Sequence, residues 1–166
     1  TKTLTIPAIK DGDTLSYNLR NVSKDQIEHV EISDGVTWIP YWAFKNFTNL
    51  KSVKIPSSVE SIGCGAFEGC TSLENIILPE SLTAIGDFAF AGCTSLHSII
   101  LPAGVTSIRG FAFEGCTSLE HVLLPESVTS IGDSAFENCI ALPKPSLPGN
   151  VVIGQNDFRG CQPEQN

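Results

Sequence analysis

At 166 residues, with 42% hydrophobic and 17% charged residues, the chain has the size of one ordinary domain and enough apolar content for a buried core, which excludes a disordered tail. Eighteen acidic against ten basic residues give a net charge of -8, so nucleic acid and anionic membrane surfaces are excluded as partners by repulsion. No apolar run approaches the roughly 20 residues that span a bilayer, so membrane insertion is not expected.

The start of the chain is not signal-like, and Met is absent throughout, which reads as a mature or excised part of something longer. Residues 1-26 follow no period. LTIPAI (4-9) and TLSYNL (14-19) flank Lys10, Asp11, Gly12 and Asp13, and two apolar runs around an Asp-Gly turn predict a β-hairpin that caps the segment beginning at residue 27.

From 27 to 161 the chain repeats itself. AFEGCTSLENIILP at 66-79 returns as AFAGCTSLHSIILP at 89-102 and AFEGCTSLEHVLLP at 112-125. Phe44, Phe67, Phe90, Phe113 and Phe136 fall 23 apart, and Phe158 follows after 22, a one-residue deletion placed between Pro148 and Ile153. Columns of Leu (50, 73, 96, 119, 142), Pro (56, 79, 102, 125, 148) and Ile (39, 62, 85, 108, 131) keep the same step. Each unit can bury its apolar face only against the next, so the period predicts a solenoid.

Within a unit the segment L-x-x-(I/V)-x-(I/L)-P alternates at period two and reads as a short parallel strand stopped by its proline. Leu73, Ile76 and Leu78 are expected to point inward, Asn75 and Ile77 outward. The Val-Thr-Ser-Ile stretch predicts a second short strand. The segment around AFEGC, opened by Asp or Gly and closed by Gly-Cys, predicts a single helical turn with Asp87 and Asp133 as N-caps. The expected fold is thus an α/β repeat solenoid, a right-handed superhelix. It has a parallel β-sheet of about six short strands, helical turns on the other side and an N-terminal β-hairpin cap. Its domains are the cap at 1-26, the solenoid at 27-161 and a tail at 162-166. Pro143 and Pro145 lie in the last strand and offer no N–H to a further one, so the array is expected to end there.

The phrase ILPESLTAIGDFAFAGCTSL at 77-96 and its sisters resemble the BspA-like class of leucine-rich repeats, over about 27-161. The fit departs at 29-46, where Ser33 replaces the proline, Pro40 the glycine and Phe47 the cysteine. The resemblance implies an extracellular or cell-surface protein. It further implies adhesion through a protein partner, with host matrix or plasma glycoproteins such as fibronectin or fibrinogen as the partner class. A structural spacer, or an array that self-associates, is the alternative reading.

Chemistry-bearing residues give no catalytic pattern. Cys70, Cys93, Cys116, Cys139 and Cys161 follow the repeat without a Cys-x-x-Cys pair or a histidine at ligand distance, so no metal and no cofactor are expected. Side chains on successive rungs, about 4.8 Å apart and parallel, do not converge as disulfides require, and these five thiols read as buried packing groups. Cys64 stands outside that column as a free, partly exposed thiol. His29, His97 and His121 sit in no nucleophile motif.

Recognition is therefore sought at the variable positions. The exposed strand face carries Asn75, Ser98 and His121 in one column and Ile77, Ile100 and Leu123 in the next, an aliphatic stripe over three adjacent coils. Equally, Ile and Leu are good strand formers that stack without a ligand. A second candidate surface is the column of Trp42, Phe88 and Phe111, which the following turns could also cover. Glu28, Lys51, Glu74, His97 and Glu120 begin successive strands and place cations between carboxylates of neighbouring rungs.

Overall fold

A computed structural model of the chain describes residues 2–7, 19 and 22–162. The repeats wind into a right-handed solenoid with two rows of short parallel strands. The first row holds β1 (Thr3–Ile6), β2 (His29–Ile32), β4 (Ser52–Lys54), β6 (Asn75–Ile76), β8 (Ser98–Ile100) and β10 (His121–Leu123). The second holds β3 (Trp38–Ile39), β5 (Ser61–Ile62), β7 (Ala84–Ile85), β9 (Ser107–Ile108), β11 (Ser130–Ile131) and β12 (Val152–Ile153). Within the repeats each paired set is in register across one repeat, for example His121↔Ser98 and Ser61↔Ala84. Where the ladders are interrupted, β6 packs beside β8 and β7 beside β9.

Strand alternation agrees with the sequence pattern. Leu73, Ile76 and Leu78 are buried, and Asn75 and Ile77 are exposed. At the N-terminus β1 pairs with β2 from Thr3↔His29 to Ile6↔Ile32 and extends the first row. The predicted hairpin turn falls on residues outside those described. The proline-containing segment at 142-147 forms no strand, and Pro143 makes only an isolated parallel bridge to Gln162.

The expected helical turns are not formed. The described residues contain no α-helix, and their one helical element is a three-residue 3-10 turn at Lys24–Gln26. Hydrogen bonding around AFEGC explains why. Ala66, Glu68 and Cys70 donate locally to the carbonyls of Gly63, Gly65 and Phe67 at 3.1 to 3.2 Å. Between them, Phe67 and Gly69 donate outward to Ala89 and Ala91 of the next coil, both at 2.8 Å. Every second N–H is thus committed across the solenoid, and no i→i-4 ladder can build. Asp87 and Asp133 accordingly cap nothing helical; their Oδ1 atoms accept from the N–H of Gly110 (3.0 Å) and Gln155 (2.8 Å), one coil further on.

Stacked aromatic rings run through the core. Phe44, Phe67, Phe90, Phe113, Phe136 and Phe158 stack with centroids 5.2 to 5.6 Å apart. Beside them the cysteines are free, and each thiol of the repeat column, Cys70 to Cys161, donates to a phenylalanine carbonyl of an earlier coil, as Cys70 does to Phe44 at 3.1 Å and Cys93 to Phe67 at 3.2 Å. Burial pushes the Cys70 and Cys116 thiols up to about 12, so neither is a thiolate at neutral pH. Ser and Thr of the repeat also bridge coils, Ser81 Oγ donating to Val59 at 2.6 Å and Thr71 Oγ1 to Thr48 at 3.3 Å.

Candidate protein-binding surface

The outer face of the first strand row holds the aliphatic stripe. Because Ile76, Ile99 and Val122 turn toward the core, their neighbours Ile77, Ile100 and Leu123 must face out, and they are 84%, 65% and 61% exposed. Register places Leu123 beside Ile100 and His121 beside Ser98. The side chains border a shallow depression of about 840 Å³ to which Asn75, Ser98 and the edges of Leu101 and Leu124 also contribute. His121 is exposed on the same face but does not line the depression.

Two features of this face were not legible as recognition elements. Ile77 and Asn75 also line a second depression, of about 430 Å³, against Lys54 and Pro79, so Ile77 forms a ridge between two hollows. Pro102 and Pro125, read from the sequence as strand stops, line the larger one together with Glu80 and Glu126. The proline column was the available signal. Its side chains stand where each coil turns off the sheet, and they supply apolar walls that carry no hydrogen-bond donor.

Toward the N-terminal end the face becomes ionic. Lys51 Nζ lies 2.9 Å from Glu28 Oε2, the expected pairing of a cation with the carboxylate of the preceding rung, and in a neighbouring column Lys54 Nζ lies 2.6 Å from Glu31 Oε1. The hydrogen bond from Lys51 holds the Glu28 carboxyl below its usual value, and the same contact raises the lysine. The stripe therefore ends abruptly at Lys54, and its apolar part spans the coils of β6, β8 and β10.

The second candidate surface is split. Phe88 and Phe111 are half-buried and stack face to face, with centroids 4.7 Å apart and planes within 1°. Trp42 is 54% exposed and packs with Tyr41 at 6.2 Å. Gly65 lies between Trp42 and Phe88 in this column, and a side chain there would collide with the indole of Trp42, which leans over it. Trp42, Phe88 and Phe111 all have φ between 55 and 58°, a left-handed conformation that costs a bulky residue about 1 kcal/mol or more.

Two parallel strand rows, a buried phenylalanine stack and an exposed variable sheet face define a leucine-rich-repeat solenoid. The chain belongs to the BspA type leucine-rich-repeat family, whose description matches residues 37–164 as six copies. Among solved structures it is similar to the T. pallidum leucine-rich-repeat protein TpLRR, with 30% identity and a TM-score of 0.84 over 96% of this chain and 76% of that one. A leucine-rich cell surface protein from Faecalibacterium prausnitzii A2-165 shares 36% identity, with a TM-score of 0.82 over 97% of this chain and 45% of that one. A leucine-rich-repeat protein from Bacteroides ovatus shares 30%, with a TM-score of 0.82 over 99% and 45%. This chain thus spans about three quarters of the first relative and less than half of the other two. A search of the curated proteins finds no match. The family consists of non-catalytic protein-interaction scaffolds of the bacterial surface and secreted class, and this chain is one of them, extracellular in setting.

Proposed function

We propose that Ile77, Ile100 and Leu123, rimmed by Asn75, Ser98 and His121, form the recognition face, and that the protein adheres through it to a host matrix or plasma glycoprotein. The observation that carries this reading is the exposure of three adjacent aliphatic side chains over one continuous depression. Contiguous apolar surface on a soluble scaffold is characteristic of a contact surface, because leaving it in water costs about 25 cal/mol per Å² that a partner would recover. Trp42, with Phe88 and Phe111, offers a smaller contact on another face.

The test is a binding screen against immobilised fibronectin and fibrinogen, with the unmodified chain and a triple variant, Ile77→Thr, Ile100→Thr and Leu123→Thr. Threonine keeps the strand preference, so the fold should persist. Binding by the unmodified chain and its loss in the variant support the reading. Undiminished binding by the variant overturns the face, and the absence of binding to either glycoprotein overturns the partner class. Sedimentation of the unmodified chain covers the remaining alternative, since a stable dimer abolished by the same three changes would make the partner a second copy.

A further inference from the structure

The second strand row carries a groove that the protein-binding face does not use. Trp38, Ser61 and Ala84 occupy matching outward positions of β3, β5 and β7, while Ile39, Ile62 and Ile85 beside them fill the core. Trp38 therefore rises at one end above a floor of small residues that continues to Ser107, and the hollow measures about 430 Å³. Tyr41 packs edge-on against Trp38, with centroids 5.9 Å apart and planes at 74°, and is itself 59% exposed. The two rings are therefore already in contact along one wall of the hollow.

The opposite wall is polar. Asp87 is anchored by the N–H of Gly110 at 3.0 Å, and its other oxygen lies 3.8 Å from Arg109 Nε, too far for a hydrogen bond. Both groups keep capacity for a ligand. Arg109 stands where the repeat has Gly63, Gly86 and Gly132, so the coil that faces Asp87 has exchanged a glycine for a guanidinium.

We propose that this groove binds a neutral pyranose glycan, stacked on Trp38 and Tyr41 and held through its hydroxyls by Asp87 and Arg109. A pyranose ring presents a face of C–H groups, which suits an aromatic wall, and vicinal hydroxyls, which both donate to a carboxylate and accept from a guanidinium. Asp87 and Arg109 cancel in charge, and the chain carries -8 overall, so a sulfated or phosphorylated ligand is disfavoured. A purely apolar ligand would desolvate the ion pair and Ser61 and Ser107 without replacing their water contacts. The volume lies within the range of small-ligand sites, about 300 to 1,000 Å³.

The chain supplies its own probes. Its two tryptophans, Trp38 and Trp42, both contact Tyr41, so selectively excited tryptophan emission reports on this corner alone. Titration with neutral gluco-, galacto- and manno-configured oligosaccharides should give a saturable emission shift with at least one of them. Tyr41→Ala and Arg109→Gln alter exposed side chains and should leave the melting temperature unchanged while weakening that response by about tenfold or more, the equivalent of 1.4 kcal/mol. Cys64 lines the same groove, and saturating glycan should slow its alkylation by iodoacetamide while Cys161 reacts as before. No saturable response to any neutral glycan, a response confined to sulfated glycans, or a response unaltered in both variants overturns the assignment. The Thr variant of the first strand row should bind glycan normally, which separates this proposal from the protein-binding one.

Discussion

Phe90 and Phe113 stack in the buried core with ring centroids 5.4 Å apart and planes 2° from parallel, each ring also touching the phenylalanine of its outer neighbour. A solenoid has no core other than such nearest-neighbour contacts, so the middle rings hold the two halves together. Phe90→Ala should cost about 3 to 5 kcal/mol in chemical denaturation, as buried phenylalanines do. A cost near that of a surface change, about 0.5 kcal/mol, would contradict the ring's position.

The thiols divide by burial. Cys70, Cys93, Cys116 and Cys139 are buried, Cys64 and Cys161 partly exposed. Burial raises both of the latter above the ordinary thiol value, and at Cys64 the nearby Asp87 adds to the effect. A native-state thiol titration at pH 8 should therefore register two slow sites out of six, with the other four appearing only after denaturation. Modification of any of the four in the folded protein would contradict the cysteine ladder.

Asp133 tests the correction from helix cap to coil bridge. Its Oδ1 accepts from Gln155 N–H, which lies in the following coil. Asp133→Ala should lower stability by about 0.5 to 1.5 kcal/mol and increase amide exchange at Gln155, whereas Asp133→Asn, which retains the acceptor oxygen, should recover most of the loss. Unchanged exchange at Gln155 in the alanine variant would remove the bridge.

Asp157 occupies the column of Ala66, Ala89, Ala112 and Ala135 and is only 4% exposed. Burial raises its carboxyl above the usual range, partly offset by nearby backbone N–H groups of Gly154, Ala135 and Ser134. A raised folded-state pKa means that the folded chain holds this proton more tightly than the unfolded one. The resulting stability is fully present below the unfolded value of about 3.9 and is lost as pH rises through the folded one. Asp157→Ala should therefore raise stability at pH 7 by about 1 to 3 kcal/mol, the cost of a poorly satisfied buried group, and the gain should shrink at pH 3. Thermal melts at both pH values decide it, and an equal gain at both would assign the effect to packing.

The 23-residue period alone specifies the solenoid, its register and the direction of its side chains. A buried column must recur once per coil, so Phe90, Leu96 and Ile85 declared the core, and Ile77, Ile100 and Leu123 declared an outward position by failing to match the inward ones. The solved relatives and the family match agree with that reading. The choice between helix and turn at AFEGC is made by stacking, because the N–H groups of Phe67 and Gly69 find the carbonyls of Ala89 and Ala91 only when the next coil lies beside them. The same holds for surface shape. Trp38, Tyr41, Asp87 and Arg109 are up to 71 residues apart in sequence and carry no common motif, and stacking at one coil per repeat is what sets them around a single hollow.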